Sequence, residues 1–149
     1  MRHYYTADEI REAEAPLLAS LPEGALMRRA AFGLSTAIAR ELVLHTGGVA
    51  GRKICAVVGS GDNGGDALYA GARLARRGCG VEAILLGSGH THVAGLAALA
   101  DAGGRVVQVP DAAAPDVVVD GIVGIGGTGP LRPAAAAALA AFPGRPVVA

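Results

Sequence analysis

Apolar residues in the first 45 positions recur every three or four residues, which is the period of an amphipathic helix. Thr6, followed three positions later by Glu9, forms a capping-box pattern, and the periodic stretch continues to about Ser20. A second helix is predicted to begin near Glu23 and to end at the sequence HTGG, positions 45–48. The chain therefore begins with two predicted helices.

Beyond residue 50 the pattern changes to short, continuous apolar runs that alternate with helical stretches. Runs rich in Val and Ile are typical of parallel strands that are buried on both faces. We predict an α/β fold: a Rossmann-like, doubly wound, mostly parallel sheet with helices on both faces, preceded by the two N-terminal helices. The predicted strands are Lys53–Val58, Val81–Leu86, Val106–Val109, Asp116–Val123 and Pro146–Ala149, and the predicted helices are Gly65–Arg77, Thr91–Ala102 and Pro133–Phe142.

The composition narrows the classes of function. A chain of 149 residues is the size of one domain, and its 13 basic residues balance its 13 acidic ones. This neutrality gives no support to a nucleic-acid partner or an anionic membrane surface, and no apolar run is long enough to span a bilayer. The N-terminus lacks the apolar segment of a signal peptide. Cys55 and Cys79, the two cysteines, fit a reducing compartment, so we expect a cytoplasmic protein.

The segment VVGSGDNGGDALYAG, residues 57–71, places a glycine loop between a strand and a helix. Gly59, Gly61 and Gly64 satisfy the pattern G-x-G-x-x-G, and the amides at a helix start favour a pyrophosphate. The lysine of a Walker P-loop is missing. The acid that a dehydrogenase needs at the end of its second strand is also missing, because Glu82 stands at the beginning of that strand. Hydride transfer is therefore disfavoured, although an oxidoreductase with an ordinary nucleotide site remains an alternative.

Acidic residues in and near this loop need a separate explanation. Asp62 is expected to cap the helix and Asp66 to lie in its first turn, where negative charge is favourable. Asn63 adds a carbonyl oxygen at the carboxyl edge of the sheet, where ligands bind. Asp120 lies inside an apolar strand, where a carboxylate needs a partner or a cation. Asn63 and Asp120 could together bind a monovalent metal; alternatively, Asp120 caps amides of the following loop.

A second glycine-rich loop follows the fourth predicted strand, in the segment VVVDGIVGIGGTGPLR. Arg132, just after that loop, is a candidate phosphate contact. Tyr69 either lines the pocket or packs in the core. His90 and His92 are predicted to be surface or helix-capping residues, and no histidine is expected to converge on the glycine loops.

Four segments resemble those of the YjeF-type N-terminal domain, the NAD(P)HX epimerase family. GSGDNGGDALYAGARL is similar to its signature G-x-G-N-N-G-G-D-G, and VVVDGIVGIGGTGPLR is similar to its segment D-A-L-F-G-T-G. YYTADEIREAEA and EGALMRRAA resemble its two N-terminal helices. The resemblance spans residues 4–149. Asp62 replaces the family's first Asn, Ala67 replaces its last loop Gly, and the second loop is a few residues longer.

The resemblance implies an isomerase that interconverts the R and S epimers of hydrated NADH and NADPH (NADHX and NADPHX). It also implies a homodimer and a potassium ion bound by Asn63 and Asp120. The substrate-binding residues that it implies are Asp62, Asn63, Gly64, Gly65, Asp66, Gly124, Ile125, Gly126, Gly127, Thr128, Gly129 and Pro130.

The family's catalytic Asp belongs to a motif, V-D-x-P-S-G, that should follow the final RPVVA. We therefore expect residues 1–149 to be a C-terminally incomplete YjeF-type domain with no catalytic residue within the chain. In many bacterial members a dehydratase domain comes after that motif. The alternative function is a non-catalytic nucleotide-binding or scaffold module of the same fold.

Overall fold

The computed structural model describes residues 4–87, 89–109, 112 and 114–149. Of the helices it describes, none combines the length and the apolar character that crossing a membrane requires. The helices are α1 (Ala7–Ser20), α2 (Ala25–Thr46), α3 (Asp62–Ala75), α4 (Val93–Asp101) and α5 (Pro133–Ala140), and the strands are β1 (Lys53–Val58), β2 (Gly80–Leu85), β3 (Arg105–Val106), β4 (Val117–Gly121) and β5 (Val147–Val148).

The strands form one sheet in the order β3-β2-β1-β4-β5, and every pair is parallel. This is the order of a doubly wound sheet, in which the chain runs outward from β1 in both directions. The carboxyl end of β1 therefore lies at the switch point, where the crossover connections diverge and leave a crevice for ligands. The predicted Rossmann-like fold is confirmed.

Helices cover both faces of the sheet, as predicted. On one face, α2, α3 and α4 bury side chains such as Ile38, Leu68 and Leu99 against Val58 and Val119. On the other face, α5 packs two alanines against the sheet. Successive residues of a strand point to opposite faces of the sheet, and helices cover both faces. Both sets of side chains are therefore buried, and β1 and β4 are apolar throughout, except for Lys53, Asp120 and Gly121.

The first helix is held differently from the others. None of its residues is buried. Its start is fixed by the predicted capping box: Glu9 N donates to Thr6 Oγ1 at 3.2 Å, and Thr6 N donates to Glu9 Oε2 at 2.7 Å. Glu9 Oε2 also accepts from Thr6 Oγ1 at 2.9 Å, and its two bonds from Thr6, first the backbone one and then the side-chain one, lower the pKa of the Glu9 carboxyl. Local bonding therefore defines α1, which adds no side chain to the core.

Several element boundaries differ from the prediction. The third helix begins at Asp62, not at Gly65, because Gly61 takes a φ of 86° and forms the N-cap. Asp62 makes no capping bond, so its predicted capping role is wrong. β4 ends at Gly121, before the predicted Val123, because the N–H of Ile122 donates to Asp120 Oδ1.

The third strand is the edge of the sheet, and it is shorter than the predicted Val106–Val109. Its register matches only Glu82 and Ala83 of β2, and the last ladder bond runs from Val107 N to Ala83 O at 2.9 Å. The chain then leaves the sheet. β3 pairs with one neighbour over two residues, whereas β1 pairs along its length with a strand on each side.

We predict that Gly121→Ala destabilises the protein. A Cβ at this position would lie 2.5 Å from the Cβ of Ala67, so α3 would have to move away from β4. The free energy of unfolding, measured by urea denaturation, should fall by about 1–3 kcal/mol.

The matched control is Gly33→Ala, because a Cβ at Gly33 in α2 would have no atom within 4 Å. This variant should be stabilised by up to about 1 kcal/mol through helix propensity. Equal effects of the two substitutions would contradict the close contact between α3 and β4.

Candidate functional site

The ends of β1 and β4 meet backbone to backbone at the carboxyl edge of the sheet. Gly59 N donates to Gly121 O at 2.9 Å. A Cβ at Gly59 would lie 2.0 Å from the carbonyl oxygen of Ile122, and a Cβ at Gly64 would lie 2.3 Å from the carbonyl oxygen of Gly59. Side chains at Gly59 and Gly64 would therefore block this contact. The glycine pattern of the first loop has a packing explanation here as well as a ligand-binding one.

Asn63 joins the two predicted substrate-binding segments. It lies in the first turn of α3 and is half-buried. A Cβ at Gly124 would lie 3.5 Å from Asn63 Cβ and 3.9 Å from Asn63 Cγ. The first glycine loop and the loop after β4 are thus in contact, with the Asn63 amide at the boundary.

Asp120 reaches the same edge from the other side of the sheet. It is half-buried and pairs in register with Val57 of β1. Strand alternation places its side chain on the face of Val118 and Ile122, whereas Asn63 belongs to the helix on the opposite face. Asp120 Oδ1 accepts a hydrogen bond from Ile122 N at 3.0 Å. One carboxylate oxygen of Asp120 therefore has the alternative role that the sequence allowed, which is to cap a loop amide.

The donor set at this edge decides which metals it suits. Among the described residues, no group of three or more His, Cys, Asp or Glu side chains could hold a metal ion. A cation at Asn63 and Asp120 would therefore be bound by amide, carboxylate and main-chain oxygens. Such a set suits a hard cation of low charge and not zinc or copper.

Asp66 is the carboxyl group with the most altered acidity at this edge. Its pKa is raised to about 6, first by burial, then by Asp62 and by Glu14 of α1, while His92 lowers it. Its Oδ1 is buried and has no hydrogen-bond partner in the described part of the chain. The proton therefore stays on Asp66 to a higher pH than on an ordinary aspartate.

His92 contacts the first turn of α3, which the sequence analysis did not anticipate. A Cβ at Gly65 would lie 2.9 Å from His92 Cδ2, and the His92 ring meets Tyr69 edge-on at 5.6 Å. The expectation that no histidine converges on the glycine loops is therefore wrong for His92. Its capping role is confirmed, because Nδ1 accepts from Gly95 N at 3.0 Å. The predicted topology could have indicated this contact. In a parallel sheet the loop after β2, which leads to His92, lies beside the loop after β1.

The loop after β4 is exposed along residues 124–130. Gly127 N donates to Gly124 O at 2.9 Å, which closes a tight turn. Gly129 has a φ of 77°, which favours glycine. Arg132, the predicted phosphate contact, is exposed and precedes α5. The remaining predicted substrate-binding residues of this loop, Ile125, Gly126, Thr128 and Pro130, all lie in this exposed stretch.

A family described as "YjeF-related protein N-terminus" matches residues 23–149, which contain both glycine loops and the entire sheet. The chain belongs to this family. The resemblance noted in the sequence is thereby confirmed, and α1 lies outside the matched residues.

Relatives in this family include longer proteins. "Bifunctional NAD(P)H-hydrate repair enzyme Nnr" of Mycobacterium tuberculosis H37Rv is 64% identical over 141 residues, which are 95% of this chain and 30% of that protein. The Mycobacterium leprae protein of the same name is 59% identical over 100% of this chain and 32% of its own length. "NAD(P)H-hydrate epimerase" of Microbacterium testaceum is 46% identical over 82% of this chain and 46% of that protein. The chain thus spans about a third of the two mycobacterial proteins.

The crystal structure of yeast ynu0, YNL200c, is similar in fold. It superposes with a TM-score of 0.74 at 20% sequence identity and covers 89% of this chain and 61% of the yeast chain. At this identity the likeness shows the shared α/β architecture.

The raised pKa of Asp66 predicts a pH dependence of stability. The folded protein disfavours the ionised carboxyl, so the penalty is absent below the ordinary pKa of 3.8 and complete above the folded value of about 6. Between pH 4 and pH 7, the melting temperature of the wild type should fall relative to that of Asp66→Asn, which carries no titrating group. A difference between the two proteins that stays constant over this range would contradict the raised pKa.

Proposed function

We propose that this chain binds NADHX or NADPHX and contributes to interconverting their R and S epimers. The observation that carries the proposal is the contact between the two glycine segments, at Asn63 and Gly124, at the switch point of the sheet. The names of the relatives that are 46–64% identical support it. We further propose that a dehydratase domain follows in the whole protein, since the mycobacterial relatives are described as bifunctional.

The first turn of α3 suits the pyrophosphate of such a nucleotide. The first N–H groups of a helix have no intrahelical partner, and the positive end of the helix dipole lies there. In α3 the N-cap is Gly61, and no side chain caps the first turn. The amides of this turn therefore remain available for phosphate oxygens.

A potassium ion is proposed over the carboxyl edge of the sheet itself, where Asn63 from one face and Asp120 from the other would both approach it. Asn63 would supply its amide oxygen and Asp120 its carboxylate, and Gly124 leaves the space beside the Asn63 amide free of a side chain. When bound, the cation would supply positive charge next to the pyrophosphate. Asp62 and Asp66 could then remain beside an anionic ligand.

The proposed reaction is a change of configuration at C6 of the hydrated nicotinamide ring. The C6–O bond breaks with help from the lone pair of ring nitrogen N1, and the leaving hydroxyl takes up a proton to depart as water. Water then adds to the other face of the planar cation and gives its proton back. A carboxyl group serves this exchange well, and the family resemblance implies that it belongs to the V-D-x-P-S-G motif after Ala149.

We predict that Asn63→Ala lowers kcat/KM for epimerisation. The substitution is made in the longer protein, by which we mean the whole protein including the proposed V-D-x-P-S-G motif. The substitution should also raise the potassium concentration that gives half-maximal activity by about 10- to 100-fold, the loss of metal affinity that is typical when a residue supporting a metal site is removed. Rates are measured against KCl concentration, with NaCl holding ionic strength constant. Gln108→Ala is the control, because Gln108 is exposed beyond β3 and should leave both quantities unchanged.

Three results would contradict the proposal. A wild-type protein with no potassium dependence would remove the cation from the site. Tight binding of intact NAD⁺ without potassium, measured by calorimetry, would favour the ordinary oxidoreductase site instead. If the longer protein binds NADHX but does not turn it over, the non-catalytic module is the better description.

A further inference from the structure

The two glycine segments of the proposed nucleotide site carry no basic side chain. Residues 57–71 and 124–130 contain neither Lys nor Arg, and the first segment carries Asp62 and Asp66. Nucleotide pyrophosphates are dianionic, and proteins commonly pair phosphate oxygens with arginine. Apart from a metal, positive charge for this site must therefore come from outside the two segments: from Arg132, which follows the second loop and is exposed, or from another part of the chain.

The first helix, α1, lies beside this site without contributing to the core. None of its 14 residues is buried, so core packing contributes little to its position. Two of its side chains nevertheless approach the carboxyl edge. Arg11 Nη2 would lie 3.4 Å from a Cβ at Gly126, and Glu14 is near enough to help raise the pKa of Asp66. Because these two residues are three apart, they lie on one side of the helix.

Arg11 is oriented toward the second glycine loop. Its Nη1 donates to Asp8 Oδ1 at 2.8 Å, and its Nη2 points to Gly126. The side chain is 53% exposed, so a ligand can reach the guanidinium. Gly126 has no side chain, so the guanidinium can approach the loop backbone closely; a Cβ there would already be in van der Waals contact with Nη2. An exposed ion pair such as Arg11–Asp8 contributes little to stability, so it serves here mainly to orient the guanidinium.

We infer that Arg11 is a substrate-binding residue: its guanidinium contacts a phosphate of the nucleotide held by the loop after β4. The inference rests on the proposed function. It identifies α1, which lies outside the residues that the family match covers, as part of the binding site. Asp8 is a positioning residue, because it acts through Arg11.

The test compares Arg11→Gln with the wild type in the longer protein. Two probes are used: the KM for epimerisation of NADHX, and the Kd for ADP-ribose, which carries the same pyrophosphate and no nicotinamide. Both constants should rise about 10- to 100-fold, the range of a lost charge-assisted hydrogen bond, while kcat stays within about threefold. Arg11→Lys should restore part of the affinity, since it restores the charge but not the planar fork.

The matched control is Arg40→Gln. Arg40 is an exposed arginine of α2 that makes no ion pair within the described residues, so neither constant should change. Because Arg11 is not buried, far-UV circular dichroism and the melting temperature should be the same for both variants.

The outcomes separate this inference from the proposed function. If the wild type epimerises NADHX and Arg11→Gln leaves KM and Kd unchanged, the role of Arg11 is overturned and the epimerase proposal stands. If the wild type binds ADP-ribose through Arg11 but never epimerises NADHX, the epimerase proposal is overturned and the phosphate contact stands.

Discussion

The arrangement of the site depends on a close backbone contact between the ends of two neighbouring strands. Gly59, which follows β1, bonds to Gly121 of β4, and added side chains at Gly59, Gly64 or Gly121 would overlap with backbone or with α3. This contact draws α3 onto the end of β4. It places Asn63 next to Gly124 and leaves the first-turn amides of α3 at the edge of the sheet. The proposed contacts of Asn63 with the cation and of the first-turn amides with the pyrophosphate depend on this arrangement.

Much of the fold was predictable because periodicity reports burial directly. The parallel strands are apolar on both faces, and the helices repeat every three or four residues, so element types and order follow from the sequence. Their ends do not, because each depends on one local bond or angle. The φ of Gly61 starts α3 early, and the bond from Ile122 N to Asp120 ends β4 early. Such details have no periodic signal.

The candidate site was only partly predictable. The glycine segments and the acids between them were identified from motifs, but their neighbours come from distant parts of the chain. His92 contacts Gly65 because β2 lies next to β1 in the sheet, and Arg11 of α1 approaches Gly126 of the loop after β4. Burial and Asp62 raise the pKa of Asp66 most, but the further effects of His92 and Glu14 come from distant parts of the chain. No spacing in the sequence reports these contacts.

The absence of buried residues in α1 has a consequence for how this protein diverges from its relatives. Core positions are constrained by volume, so amino-acid changes there report packing. On α1 that constraint is weak, and the capping box fixes its start. If Arg11 contacts a phosphate as proposed, it should vary less among homologous chains than the other exposed positions of this helix.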